Sequence, residues 1–150
     1  MLAVIGSNPA TTSGLRTVNR AKKACSLLGF DTFAISNILD VPTYRTGGIS
    51  EVAVTGDRWI KSRAGLADTL STASGVLLAY GVEKPSGLAR EHHLNQIDWL
   101  NREIKERGLP IWTVGGQPRH PSRWQRFTYR AHPGVDFDTA LALSLSRIDA

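Results

Sequence analysis

Three polar side chains could recognise a planar, hydrogen-bonding ligand such as a nucleobase. Asn8 carries an amide that could position a water molecule or bond to a base edge. Asn37 could donate and accept toward a pyrimidine-like edge, and His120 could donate to a developing oxyanion or to a phosphate. Each also has an ordinary alternative: the asparagines could be turn or capping residues, and the histidine could bond to backbone.

The neighbours of these residues widen the predicted site. A glycine beside a ligand permits close approach of the backbone, and His120 lies in the Gly/Pro-rich segment 115–121, next to arginine. The predicted catalytic residues are Asn8 and His120. The predicted substrate-binding residues are Gly6, Ser7, Pro9, Asn37, Tyr80, Gly81, Arg119 and Ser122.

Arginines alternate with aromatic residues in segment 119–130. This pattern suits phosphate contacts and base stacking, although a solvated helix face with an apolar stripe on the core explains it equally well. We predict nucleic-acid contacts at Arg123, Trp124 and Arg126.

Several classes of site are absent from the sequence. There is no P-loop, and Gly6-Ser7 lacks the later glycines of a dinucleotide fingerprint. His92 and His93 are adjacent in a predicted helix, so they face different ways, and no Cys/His cluster suggests zinc. We therefore expect neither a metal nor a cofactor.

Composition predicts one soluble globular domain over residues 1–150. The chain is 41% hydrophobic and 21% charged, which excludes a disordered chain. Its formal net charge of +5 favours anionic partners: a nucleobase, a nucleotide or DNA. The single cysteine, the lack of a long apolar run and the absence of a basic segment before Gly6 favour a cytoplasmic protein with no membrane segment. The oligomeric state stays open.

The elements that must position these residues alternate between strand and helix. Apolar runs predict strands at 2–5, 32–36, 75–80 and 109–114, and apolar spacings of three and four predict helices at 15–28, 57–72 and 86–107. Segment 38–56 is predicted to be a long loop, and a last helix is expected from Asp136 or Asp138 through Leu143 and Leu145.

This alternation predicts an α/β fold with three α/β/α layers around a four-stranded, mainly parallel sheet. In open sheets of this kind, ligands bind beyond the carboxyl ends of the strands. The polar segments after the four predicted strands should therefore meet in one crevice.

The motifs resemble those of a bacterial and phage family known as a domain of unknown function. That family has an "NPS" opening, a Thr-containing helix start, and "NLF", "WG" and "G-x-P-x-HP" segments. The corresponding segments of this chain occur in the same order: Asn8-Pro9-Ala10, Thr17, 37–39, 80–81 and 116–121. Leu15 takes the place of the family's acidic residue, and Tyr80 that of its tryptophan.

A more distant likeness is to the uracil-DNA glycosylase superfamily, which has a four-stranded parallel sheet between helices. Its "G-x-[DN]-P", Asn, "WG" and "HPS" motifs correspond to 6–9, Asn37, 80–81 and 120–122. The likeness implies a water oriented by Asn8, a base read by Asn37 and a departing base anion stabilised by His120. Arg123-Trp124-Gln125 replace the second half of that superfamily's last motif, which puts duplex DNA in question as a substrate.

Three functions remain open. The first is hydrolysis of an N-glycosidic bond by a uracil-DNA-glycosylase-like protein. The second is binding of a nucleotide or single-stranded nucleic acid without chemistry. The third is an accessory protein with a vestigial pocket.

Overall fold

One five-stranded sheet organises the chain. The computed structural model describes residues 1–43, 48–52 and 55–148. Its strands are β1 (Leu2–Gly6), β2 (Phe33–Asn37), β3 (Gly75–Ala79), β4 (Ile111–Val114) and β5 (Leu145–Ile148), in the spatial order β2-β1-β3-β4-β5. The first four are parallel, so their carboxyl ends lie at one edge, whereas β5 pairs antiparallel with β4.

Helices connect the strands. They are α1 (Leu15–Leu27), α2 (Ile49–Val52), α3 (Gly56–Thr72), α4 (Leu88–Glu106), α5 (Trp124–Ala131) and α6 (Phe137–Ser144). A turn of 3-10 helix, Pro121–Arg123, directly precedes α5. Among the described helices, none combines the length and apolar character that a membrane crossing needs.

The core consists of two apolar clusters, one on each face of the sheet. On one face, Ala3 and Ile5 of β1 pack with buried residues of α3 and α4, such as Leu66. On the other face, Leu2 and Val4 pack against α1, α5 and α6. All residues of β1 and β3 are buried, which is typical of central parallel strands covered on both sides. The alternation of side chains along each strand therefore requires helices on both faces.

The predicted α/β class and the parallel core are confirmed, but the prediction of four strands misses β5. Residue 145, which was predicted to lie in the last helix, begins this strand instead. Leu145 and Ile148 pack against opposite core clusters. Residues three positions apart point to opposite faces in a strand, whereas in a helix they would share one face. Asp136 does cap α6, because its carboxylate accepts a hydrogen bond from the Thr139 backbone N–H.

Other boundaries also differ from the predictions. The predicted loop 38–56 contains α2, and its residues 44–47 and 53–54 lie outside the described residues. The N-cap of α3 is Thr55, so this helix begins one residue before the predicted start at 57. Segment 119–130 contains most of α5, for which no helix was predicted.

Candidate functional site

A cleft of about 1080 Å³ opens at the carboxyl edge of β1 to β4. One wall consists of the turn after β1 and the end of β2, and the other consists of segment 119–130. Residues 14, 17 and 18, near the start of α1, close one side, and residues 81–83 after β3 close another. Loops that are far apart along the chain therefore meet at the edge where α/β sheets bind ligands.

Asn37 lies over Gly6 at the end of the β1–β2 ladder, where the two residues are register partners. A Cβ atom on Gly6 would lie 2.5 Å from Oδ1 of Asn37, so only glycine leaves room for the amide there. The side chain of Asn37 has no hydrogen-bond partner within the described part of the chain and lines the cleft. Its donors and its acceptor are therefore free to bond to a ligand.

Asn8 is tied to the protein by its amide nitrogen. Nδ2 donates to the backbone oxygen of Val41 at 2.9 Å and to Oγ1 of Thr43 at 2.8 Å. Because a backbone carbonyl can only accept, these contacts fix the orientation of the amide, and Oδ1 remains as an acceptor for a ligand or water. Asn8 therefore anchors the segment after β2 and lines the cleft at the same time.

His120 is held in one neutral form. Its Nδ1 accepts from the Ser122 backbone N–H at 3.1 Å and lies 2.8 Å from the Ser122 hydroxyl. Since a backbone N–H only donates, the proton of the neutral ring is on Nε2. Burial, followed by the charges of Arg123 and Arg20, lowers the pKa of His120, so the ring is neutral at pH 7. Nε2–H, which has no partner among the residues described, can donate to a ligand.

Arg119 is braced from both sides. Its Nε donates to the backbone oxygen of Val114 at 3.1 Å, and its guanidinium lies 4.0 Å from the centre of the Phe127 ring. Phe127 fills the space beside Gly115, where a Cβ atom would lie only 2.3 Å from Cζ of the ring. The turn after β4 thus sets the position of an arginine at the cleft.

Helix α5 and the preceding residue Arg123 present cations to the cleft, and α5 presents buried side chains to the core. Arg123, Arg126 and Arg130 recur at spacings of three and four and line the cleft. Trp124 and Thr128 are buried on the opposite side. Among the described lining residues the single acidic side chain is Glu83, so the cleft favours an anionic ligand.

Most of the predicted site residues meet in this cleft. They are Gly6, Ser7, Asn8, Pro9, Asn37, Gly81, Arg119, His120, Ser122, Arg123 and Arg126.

Two predicted residues point elsewhere. Tyr80 packs in the core cluster of α3 and α4, with its ring centre 6.3 Å from that of His93. Trp124 is fully buried, and its Nε1 donates to the backbone oxygen of Arg119 at 2.9 Å. Neither ring is available to a ligand in the cleft. The predictions that Tyr80 binds substrate and that Trp124 contacts nucleic acid are therefore replaced by a role in the core for both side chains.

The sequence analysis missed several lining residues. Thr17 and Val18 of α1 line the cleft, and Val18 is 40% exposed although it is apolar. Glu83 and Phe127 line it as well. The available signal was position: residues 81–83 follow β3, and Phe127 is one turn beyond Arg123.

No group of three His, Cys, Asp or Glu side chains in the described ranges could hold a metal ion. Comparisons with protein-family models, with curated proteins and with solved structures gave no match to this chain.

Proposed function

We propose that this chain is a uracil-DNA-glycosylase-like protein that binds a nucleobase in the cleft and hydrolyses its N-glycosidic bond. One observation carries the proposal: the unpartnered amide of Asn37 and the neutral imidazole of His120 line the same cleft. An amide reads a base edge, and a neutral N–H donor stabilises the negative charge that forms on a departing base.

In this reaction the base is held by Asn37 and its exocyclic oxygen faces Nε2–H of His120. The bond between C1′ and the base nitrogen breaks, and its electron pair leaves with the base. Water forms the new bond to C1′, and a proton of that water neutralises the base. Asn8 orients the water through Oδ1, but an amide does not take up a proton, so we expect a slow reaction.

The positions of the motifs support this assignment. The segments that resemble the uracil-DNA glycosylase superfamily lie at or after the carboxyl ends of the four parallel strands; they are 6–9, Asn37, 80–81 and 120–122. The likeness is incomplete, because Tyr80 faces the core and α5 replaces the second half of the last motif.

Base release is the direct test. Single-stranded oligonucleotides that each contain one uracil, hypoxanthine or xanthine are incubated with the protein, and abasic sites are detected by alkaline cleavage. We expect release of at least one base. In His120→Gln the rate should fall by about 10²- to 10³-fold, because one donor to the developing anion is lost.

His92→Gln is the matched control, since His92 belongs to α4 on the other face of the sheet. It should leave the rate unchanged. Equal rates in His120→Gln and His92→Gln would contradict the proposed role of His120, and no release of any base would end the catalytic proposal.

A second function, binding without chemistry, is favoured by the state of Asn8. Its amide nitrogen is committed to Val41 and Thr43, and the described cleft offers one carboxylate, that of Glu83, as a proton acceptor. This function predicts an intact ligand recovered from the complex by mass spectrometry after prolonged incubation. It also predicts that Asn37→Ala weakens binding while no base is released.

A further inference from the structure

A second depression adjoins the cleft, and one hydrogen bond, from Arg20 to Pro121, links the walls of the two. This groove, of about 390 Å³, is lined by Arg16, Arg20 and Lys23 of α1, together with Gln125 and Phe137. Arg20 belongs to the groove, and its guanidinium donates to the backbone oxygen of Pro121 at 2.5 Å; Pro121 lines the cleft. Cleft and groove are therefore neighbours.

The cations of the groove share one helix face. Residues 16, 20 and 23 are spaced by four and three positions, so their side chains point the same way. The Phe137 ring supports two of them, with Arg20 Cζ 5.8 Å and Lys23 Nζ 5.1 Å from its centre. Gln125 accepts from Arg20 at 3.2 Å, which further fixes this guanidinium.

These positive charges are only partly compensated by the protein. Lys23 pairs with Asp138, and Asp136 next to Phe137 caps α6. Arg16 is exposed and has no ion-pair or hydrogen-bond partner in the described portion of the chain. Burial, and then the charge of Arg16, lowers the pKa of Arg20, as expected for like charges held close together. A bound anion would relieve this repulsion.

Cleft and groove together concentrate the basic side chains. Seven of the 18 lysines and arginines line them: Arg16, Arg20, Lys23, Arg119, Arg123, Arg126 and Arg130. The acidic residue among the described lining residues is Glu83. A mononucleotide offers one phosphate group to these two neighbouring depressions, whereas a strand offers successive phosphates to both.

We propose that the groove of Arg16, Arg20 and Lys23 is a phosphate subsite outside the cleft, which holds the backbone of a single nucleic-acid strand whose base occupies the cleft. The proposal rests on the proposed function for the base in the cleft. It adds that the ligand is an oligonucleotide rather than a free nucleoside or mononucleotide. An unpaired base is needed because the amides lie inside a cleft and not on an open surface.

Length dependence tests the subsite. Binding of a fluorescein-labelled single-stranded octadeoxynucleotide of random sequence is measured by anisotropy, with the four deoxynucleoside monophosphates as competitors. The octanucleotide should bind at least about tenfold more tightly than the monophosphates, because it adds phosphate contacts in the groove. Equal affinity would overturn the subsite.

Arg16→Gln locates the contact, and Arg102→Gln, an identical charge change on exposed α4, is its control. Arg16→Gln should weaken octanucleotide binding about fivefold, the effect of one charged contact. The slope of log affinity against log salt should become shallower by about 0.7. Monophosphate binding should not change. Equal losses in both variants, or displacement of the octanucleotide by polyglutamate at the same charge concentration, would overturn the subsite.

Asn37→Ala separates this proposal from the proposed function. If it leaves octanucleotide binding intact while Arg16→Gln weakens it, the groove stands and the base site in the cleft fails. If Asn37→Ala weakens binding and Arg16→Gln does not, the base site stands and the groove fails. No binding of either ligand overturns both.

Discussion

Asn8, Asn37 and His120 differ in how far their hydrogen-bonding groups are used by the protein. Asn8 donates from its amide nitrogen to Val41 and Thr43, and Nδ1 of His120 accepts from the Ser122 backbone N–H. The side chain of Asn37 makes no hydrogen bond among the described residues. Polar groups that the fold does not use, and that line a cleft, are candidates for ligand binding. The same difference predicts unequal effects on stability.

Asn8→Ala should lower the free energy of unfolding by about 1–3 kcal/mol, because two hydrogen bonds are lost and the Val41 carbonyl is left unpaired. Asn37→Ala should change it by less than about 0.5 kcal/mol, since no bond is lost. Urea denaturation measures both values. A large loss for Asn37→Ala would mean that its amide supports the fold.

His93 predicts a pH dependence of stability that has no connection with the cleft. It is buried beside Trp59 and Tyr80, and its Nδ1 has no hydrogen-bond partner. Burial, and then the charge of Lys84, lowers its pKa from 6.5 to about 4. The unfolded chain therefore binds a proton near pH 6.5, and the folded chain only near pH 4.

Stability from this group is present above pH 6.5 and is lost as the pH falls through that range to about 4. The full loss is about 3 kcal/mol, from the size of the pKa shift. Urea denaturation at pH 7, 6, 5 and 4 should show this decline, and His93→Gln should show a shallower one. Parallel pH profiles for the two proteins would contradict the prediction.

At the scale of elements, α5 separates packing from binding. Trp124 and Thr128 lie in the core, while Arg123, Arg126 and Arg130 line the cleft. The alternation of arginine and aromatic residues therefore gives this segment an apolar side on the core and a cationic side on the cleft.

Trp124→Ala should cost about 3–5 kcal/mol of stability, as is usual when a large buried aromatic side chain is removed. Trp124→Phe should fold and retain most of its ligand binding, because the indole lies outside the cleft and only its hydrogen bond to the Arg119 backbone is lost. Thermal denaturation and anisotropy check the two outcomes. A stable Trp124→Phe protein that no longer binds would show that ligand binding needs the indole, either in direct contact or through its hydrogen bond to the Arg119 backbone.

The turn between β4 and α5 offers a matched pair of glycines. Gly115 has φ +68° and Gly116 has φ +82°, but only at Gly115 would a Cβ atom meet Phe127. Both alanine variants lose about 1 kcal/mol to the left-handed backbone. Gly115→Ala should lose more and should weaken ligand binding, because displacement of Phe127 moves Arg119. Equal losses of stability and binding would show that the ring does not position the arginine.

At the scale of the whole molecule, the cleft and the groove together are lined by seven of the 18 lysines and arginines. Because phosphate contacts release counterions, binding should depend steeply on salt. The double variant Arg123→Gln/Arg126→Gln should bind octanucleotide much more weakly at low salt and approach the original protein at high salt. Titrations between about 50 and 500 mM KCl measure this difference in affinity, because electrostatic screening strengthens strongly over that range. A difference that does not change with salt would argue against phosphate contacts.

The sequence by itself determined the four parallel strands, most of the helices and the candidate site. Short apolar runs separated by helical crossovers require parallel strands, so Asn8, Asn37 and His120 had to follow strands whose carboxyl ends share one edge. The prediction of one site depended on this topology and not on any exact boundary. It therefore survived errors at several helix ends.

Only the tertiary structure decided which way individual side chains face and what they contact. Leu145 follows helical residues, but the open edge of β4 accepts it as the start of an antiparallel strand. Tyr80 and Trp124 lie beside cleft residues in sequence, yet packing on the two core faces buries them. Leu15 and Val18 are apolar residues of α1, yet they are exposed and line the groove and the cleft, respectively. Sequence periodicity fixes local geometry, whereas whether a side chain is buried or lines the cleft depends on packing partners that are distant in the chain.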